Sequence, residues 1–174
     1  MSSVLVLAGP ADGDALLPML ARFNASQGYA FDATVGRGAL AALLARAELG
    51  RVYRIVRAGE TAGYVALTFG WSLEWGGRDA FVDEIWVEPA HRQRGLGRAA
   101  LRALMDEARA LGVRALHLEV EAENEAGQAL YRSEGFSGSE RRLLSRRLAL
   151  AVRSSGRCDP GCRAGSPARA ATSR

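Results

Sequence analysis

Two strand-like runs, residues 80–88 and 115–121, stand on either side of a helix-like run, and this arrangement limits the fold more than anything else in the chain. In residues 99–111, Ala100, Leu101, Leu104, Met105, Ala108 and Leu111 recur at helical spacing, and Gly112 ends the pattern. Residues 115–121 alternate Leu116, Leu118 and Val120 with His117, Glu119 and Glu121, which is the period of a strand. Strand, helix and strand in succession imply a crossover that returns the second strand parallel to the first. The handover from first strand to helix reads His91-Arg92-Gln93-Arg94-Gly95-Leu96-Gly97-Arg98. Glycines let the backbone approach a ligand, and a helix start offers unpaired N–H groups with the positive end of its dipole. Such a junction is a place to hold a phosphate.

Earlier in the chain the pattern is antiparallel. Residues 52–57 and 62–71 read as strands joined by the turn Ala58-Gly59-Glu60-Thr61, and Gly76-Gly77 precedes the third strand of the group. A short strand over residues 4–7 precedes Pro10, Asp12 and Asp14, which suit the entrance of a helix through Leu16, Leu17, Leu20 and Phe23. A second helix is predicted at about residues 38–49, with Gly50 placed to stop it. Asn124 opens a short helix through Ala129 and Leu130 to Arg132, closed near Gly135. A brief strand near Phe136 and a last one over residues 143–152 complete the pattern. Hairpins followed by a crossover point to an α/β fold with a mixed sheet.

The length suits one domain, placed at residues 1–152. Residues 153–174, rich in Arg, Gly, Ser, Pro and Ala, hold no aromatic or large aliphatic side chain after Val152 and are expected to be disordered. All 23 basic residues are arginine. Residues 1–152 balance 18 arginines with 18 acids, so the net charge of +4 sits in the tail. A balanced domain argues against nucleic-acid binding, which normally leaves a basic surplus on the binding surface. The apolar run at residues 4–8 is far shorter than the roughly 20 residues of a membrane span, so neither a secretion signal nor a membrane partner is expected. Cys158 and Cys162 stand alone in the tail, without the further cysteines or histidines of a zinc site. A core without cysteine suits a cytoplasmic protein, and no metal is expected.

The junction admits three readings. Gly95 and Gly97 merely turn the chain in the first. In the second, Gly95-Leu96-Gly97-Arg98-Ala99-Ala100 fits the G-x-G-x-x-A of a dinucleotide-binding oxidoreductase, with Glu119 about 20 residues on as the ribose acid. Against it stand the residues 88–94 that delay the glycines after the strand, and the antiparallel prelude. A Walker-type loop is excluded because no Gly-Lys-Ser/Thr follows.

The third reading is a resemblance. Arg92-x-x-Gly95-x-Gly97 follows a strand ending Trp86-Val87-x-Pro89. Asn124-x-x-Gly127-x-x-Leu130-Tyr131-x-x-x-Gly135-Phe136 lies downstream. Together these resemble the GCN5-related N-acetyltransferase superfamily, strongly over residues 81–148. The resemblance implies the acyl-CoA N-acyltransferase fold, with a mostly antiparallel central sheet flanked by helices. It implies an enzyme that moves the acetyl group of acetyl-CoA directly to an amine, of small-molecule or protein origin, without a metal, and it allows a homodimer. It assigns the cofactor pyrophosphate to the loop Arg92, Gln93, Arg94, Gly95, Leu96, Gly97 and Arg98. The pantetheine arm goes to Ile85, Trp86 and Val87 and to Asn124, and Tyr131 protonates the departing thiolate. Two positions depart from the pattern: Gln93 stands where glycine is common, and Gly127 where alanine is common.

On the amine side a base must take a proton from the ammonium form. Asp83 and Glu84 are the candidates. Strand alternation would let only one of them face the substrate, and Glu84 is preferred. Glu119 and Glu121 are candidates to add negative potential near a cationic amine, and Trp71, Trp75 and Trp86 to line an acceptor pocket. Alternatively all of them, like His117 on the face of Glu119 and Glu121, are ordinary surface and packing residues. A non-catalytic acyl-CoA sensor or interaction module remains the rival from a different class.

Overall fold

Sequence neighbours pair to make the sheet. In a computed structural model, which describes residues 4–138, 143–146 and 148, β1 (Leu5–Leu7), β2 (Gly50–Arg57), β3 (Glu60–Ser72), β4 (Gly77–Val87) and β5 (Ala115–Leu118) lie side by side in chain order. The first four are antiparallel, and β5 joins β4 in parallel. Between β4 and β5 runs α3 (Leu96–Ala110), the predicted crossover helix. Ala58 and Gly59, both at positive φ (50° and 85°), turn β2 into β3 as a two-residue hairpin.

The sheet has an apolar cluster on each face, because its strands alternate. Ile55, Val65, Leu67, Ala80 and Val82 face α3 and meet Leu96, Ala100 and Leu104. Val52, Tyr64, Ala66 and Trp86 face the opposite side and meet Leu16 and Leu40 from α1 (Gly13–Ser26) and α2 (Ala33–Ala45). Leu101 and Leu104 are fully buried, and each such leucine contributes about 1.5–3 kcal/mol.

Several boundaries differ from the sequence pattern. α2 starts at Ala33 because Asp32 caps it, accepting from the Thr34 and Val35 amides at 2.8 and 3.1 Å. Gly50 is the first residue of β2 and does not stop the helix. A Cβ there would lie 2.0 Å from the Leu67 carbonyl oxygen, so the close strand approach requires glycine. β5 ends at Leu118, short of the alternation that runs to Glu121. α4 (Glu125–Ser133) is capped by Asn124, and Gly135 follows it at φ 90°. Phe136 to Gly138 are irregular, as are residues 143–146 and 148, so the brief strand near Phe136 is absent. The rest of the expected last strand, the tail at 153–174 and both cysteines lie outside the described residues. No helix among the described residues is long and apolar enough to cross a membrane.

Candidate functional site

The pairing of β3 with β4 slips by one residue: Leu67 stands opposite Val82 and Ala66 opposite Glu84, leaving Asp83 as a bulge. Two consequences follow along β4. First, β5 accompanies β4 only from Asp79 to Val82, so from the bulge onward that edge of β4 has no strand partner among the described residues. Second, the side-chain phase changes. Val82 lies in the cluster under α3, yet Glu84, two residues on, faces the side of α1 and α2. Strict alternation along β4, on which the choice between the two acids rests, therefore does not hold. Asp83 and Glu84 are close enough that the Asp83 charge disfavours ionisation of Glu84.

Glu84 is half-buried, and Tyr64 Oη donates a short hydrogen bond to its Oε2. Burial lifts the Glu84 pKa to about 7; the Tyr64 hydrogen bond holds it down and the Asp83 charge raises it further. Asp83 remains exposed, yet the protein around it still raises its pKa by desolvation. Tyr64 is 2% exposed. Burial first, then the Glu84 charge, push its phenol far above the ordinary range, so it stays a donor. Tyr64 was not singled out from the sequence; the register sets it opposite Trp86, two residues along β3 from Ala66, which faces Glu84.

Beyond β4, a short 3-10 turn (Pro89–His91) leads into the arginine loop. Gln93 and Gly95 both sit in the left-handed region, at φ 57° and 73°. The amides of residues 93–98 donate to no acceptor among the described residues. They surround the positive end of α3. A Cβ on Gly95 would meet nothing within 4 Å and one on Gly97 only Leu130 Cδ2 at 3.8 Å, so the space before the helix is open to an anion. The three arginines have different tasks. Arg92 donates from Nε to the Val87 carbonyl at 2.8 Å and lays its guanidinium 4.3 Å from the Trp86 ring centroid. Arg98 reaches α4, 3.1 Å from Ser133 Oγ and 3.2 Å from Glu134 Oε1. Arg94 is exposed and has no partner among the described residues.

Tyr131 projects from α4, half-buried, with its ring edge-on to Phe136 at 6.0 Å. Desolvation raises its pKa, and its hydroxyl has no hydrogen-bond partner among the described residues. Asn124 Oδ1 accepts from the Gly127 amide at 2.9 Å. A Cβ on Gly127 would stand 2.6 Å from Asn124 Nδ2, so glycine here gives the cap room. Glu134 receives Arg102 at 2.7 Å as well as Arg98, and so clasps α4 to α3. Tyr29 Oη donates to Glu121 at 2.9 Å and so joins the segment after α1 to the one after β5. Of the tryptophans, Trp86 is buried while Trp71 and Trp75 are exposed. His117 stands 3.5 Å from Asp79. The dinucleotide reading lacks its sheet, because only one pair of strands is parallel.

A family model described as the acetyltransferase (GNAT) family matches residues 20–136. The chain is similar to the [ribosomal protein bS18]-alanine N-acetyltransferase of Escherichia coli, 48% identical over 59 residues, 34% of this chain and 40% of that protein. It is similar also to the N-alpha-acetyltransferase RimI of Mycobacterium tuberculosis, 53% identical over 55 residues, 32% of this chain and 33% of that protein. The chain thus spans well under half the length of the curated relatives it matches. Among solved structures, an integron cassette protein from the mobile metagenome of Cole Harbour Salt Marsh shares 36% identity. It superposes with a TM-score of 0.75, covering 84% of this chain and 91% of that one.

Gln93 carries the strain of the loop, since a side chain at positive φ costs roughly 1–2 kcal/mol, part of which glycine's extra freedom in the unfolded chain would offset. Gln93→Gly is expected to stabilise the fold by about 1 kcal/mol or less, read as a rise in melting temperature.

Proposed function

The chain belongs to the acetyltransferase (GNAT) family, and from that membership we propose that it transfers the acetyl group of acetyl-CoA directly to an amine. The observation that carries the proposal is the pairing, on one strand, of an anion cradle with a base. The unpartnered amides of residues 93–98 stand at one end of β4's open segment and Glu84, with a pKa of about 7, at the other. The donor set fits a pyrophosphate, since peptide N–H groups, a helix start and the free Arg94 all favour phosphate oxygens. Acetyl-CoA supplies the activated acyl group.

In this proposal the backbone of Ile85, Trp86 and Val87, on the edge that β5 leaves, pairs with the pantetheine arm. Asn124 is assigned to the same arm. Glu84 accepts the proton that the ammonium form must lose, and the freed amine attacks the thioester carbon. As the carbon–sulfur bond breaks, Tyr131 donates its phenolic proton to the sulfur. Its raised pKa keeps that proton in place until then. Asp83 lies beside the path of the incoming cation and adds negative potential. The relatives named for alanine N-acetylation make a peptide amino terminus a natural member of any acceptor panel.

Incubation with acetyl-CoA and a panel of amines, including alanine-starting peptides, is expected to release CoA thiol. Saturable acetyl-CoA binding without thiol release from any amine would instead favour the acyl-CoA sensor. With an active acceptor, kcat/KM should rise as pH passes through about 7, the range in which Glu84 loses its proton. Tyr64→Phe removes a bond that favours the carboxylate, so the limb should move to higher pH. An unmoved limb would take Glu84 out of the base role. Tyr131→Phe should lower kcat on the order of 100-fold, within the usual range for general acid catalysis, while the acetyl-CoA Kd changes little.

A further inference from the structure

We infer that the acceptor side holds a second subsite, built around Asp79, for a cationic group about 13 Å from the amine that reacts. The inference deepens the proposed transfer reaction and rests on it. On β3, Tyr64, Ala66, Thr68 and Gly70 share one face and stand opposite Trp86, Glu84, Phe81 and Asp79 of β4. α1 and α2 cover the half that contains Tyr64 and Ala66. Beyond them the same face opens into a cavity of about 230 Å³ walled by Thr68, Gly70, Asp79, Phe81 and His117. Glu84 and this cavity therefore lie on the same face of the sheet. Ala66, opposite Glu84, and Gly70, opposite Asp79, are four residues apart on β3, which sets the span at the usual rise of about 3.3 Å per residue.

The cavity has the chemistry of a cation site. One carboxylate oxygen of Asp79 stands 3.5 Å from His117 Nε2, while the other, Oδ1, is buried and has no hydrogen-bond partner. No arginine pairs with Asp79 among the described residues. Oδ1 is closed to solvent, so a ligand N–H would meet the carboxylate at Oδ2, the Asp79 side chain being 22% exposed. The position is built in: Gly70 has no side chain, and a Cβ there would lie 2.5 Å from Asp79 Oδ1. Aromatic surface completes the site, with Phe81 in the wall and the Trp75 ring 6.2 Å from His117, tilted by 52°. An ammonium or guanidinium group fits a carboxylate flanked by aromatic faces. The acceptor class that spans both points is an extended dication, a polyamine or a peptide with arginine or lysine near its amino terminus.

The test titrates the full chain calorimetrically with α,ω-diaminoalkanes of increasing length, spermine, and free-amino-terminus peptides carrying arginine within the first four residues. Each is compared with its monocationic counterpart. Dications should bind roughly tenfold more tightly, as expected of a charged hydrogen bond, with the best diamine spanning about 13 Å. Asp79→Asn, which removes the charge, and Gly70→Ala, which displaces the carboxylate, should each erase the advantage and leave acetyl-CoA binding unchanged, in chains shown by melting to be folded. The arm that shows the advantage, polyamine or peptide, identifies the source of the dication. Equal binding of monocations and dications, or an advantage that survives both substitutions, overturns the inference. CoA release from amines without any dication advantage overturns the subsite alone. No release from any amine overturns the transfer reading, and with it the standing of this cavity as an acceptor site.

Discussion

One extra residue in β4 sets the geometry of the whole cleft. With Asp83 bulged out, β4 stops following β5 at Val82, and the chain beyond the bulge turns its side chains through half a period. Ile85 and Val87 then pack beneath α3, while Glu84 and Trp86 look toward α1 and α2. A single stretch of strand thus separates the cation-facing side of the sheet from the anion-facing loop and offers its own backbone between them. Neither half of the site would be in place if the ladder ran on in register, because β5 would occupy the edge and Glu84 would point into the core under α3.

The loop that follows is held by charge and aromatic contact more than by apolar packing. Arg92 closes the turn by joining the Val87 carbonyl to the Trp86 ring, and Trp86 in turn meets Phe23 of α1 edge-on at 6.3 Å. Leu96 is the apolar anchor that seats the helix start in the core. At the other side, α4 has no buried residue of its own and depends on Glu134 bridging Arg98 and Arg102. Burial therefore fixes Glu84, whereas two half-exposed arginines converging on the Glu134 carboxylate position the helix that carries Tyr131.

What could be read in the sequence follows from which features are periodic. The crossover helix and the hairpin strands repeat at 3.6 or 2 residues, so Leu101, Leu104 and the β2–β3 pair were legible, as was the loop through its glycines. A bulge has no period. The run Phe81-Val82-Asp83-Glu84-Ile85-Trp86-Val87 gives no sign that its phase changes at the acids, and so Tyr64, which depends on that phase, went unnoticed. Gly50 looked like a helix stop because glycine serves that purpose often, although here the Leu67 carbonyl demands it. Asp79 and Gly70 stand nine residues apart, and the register of β3 against β4 is what sets one opposite the other. Gln93 is the converse case: its departure from glycine was visible, and the structure supplies the reason glycine is favoured, a positive φ.

The arginines that clamp the loop have a chemical side beyond their geometry. A lysine, with its ordinary pKa of roughly 10.4, has a small neutral fraction at neutral pH that is nucleophilic toward a thioester. A guanidinium keeps its proton under the same conditions. With arginine at Arg92, Arg94 and Arg98, and no lysine anywhere in the sequence, the chain has no side-chain amine to compete for the acyl group. Guanidinium groups are poor nucleophiles, so acylation of the chain's own lysine side chains is closed off by composition.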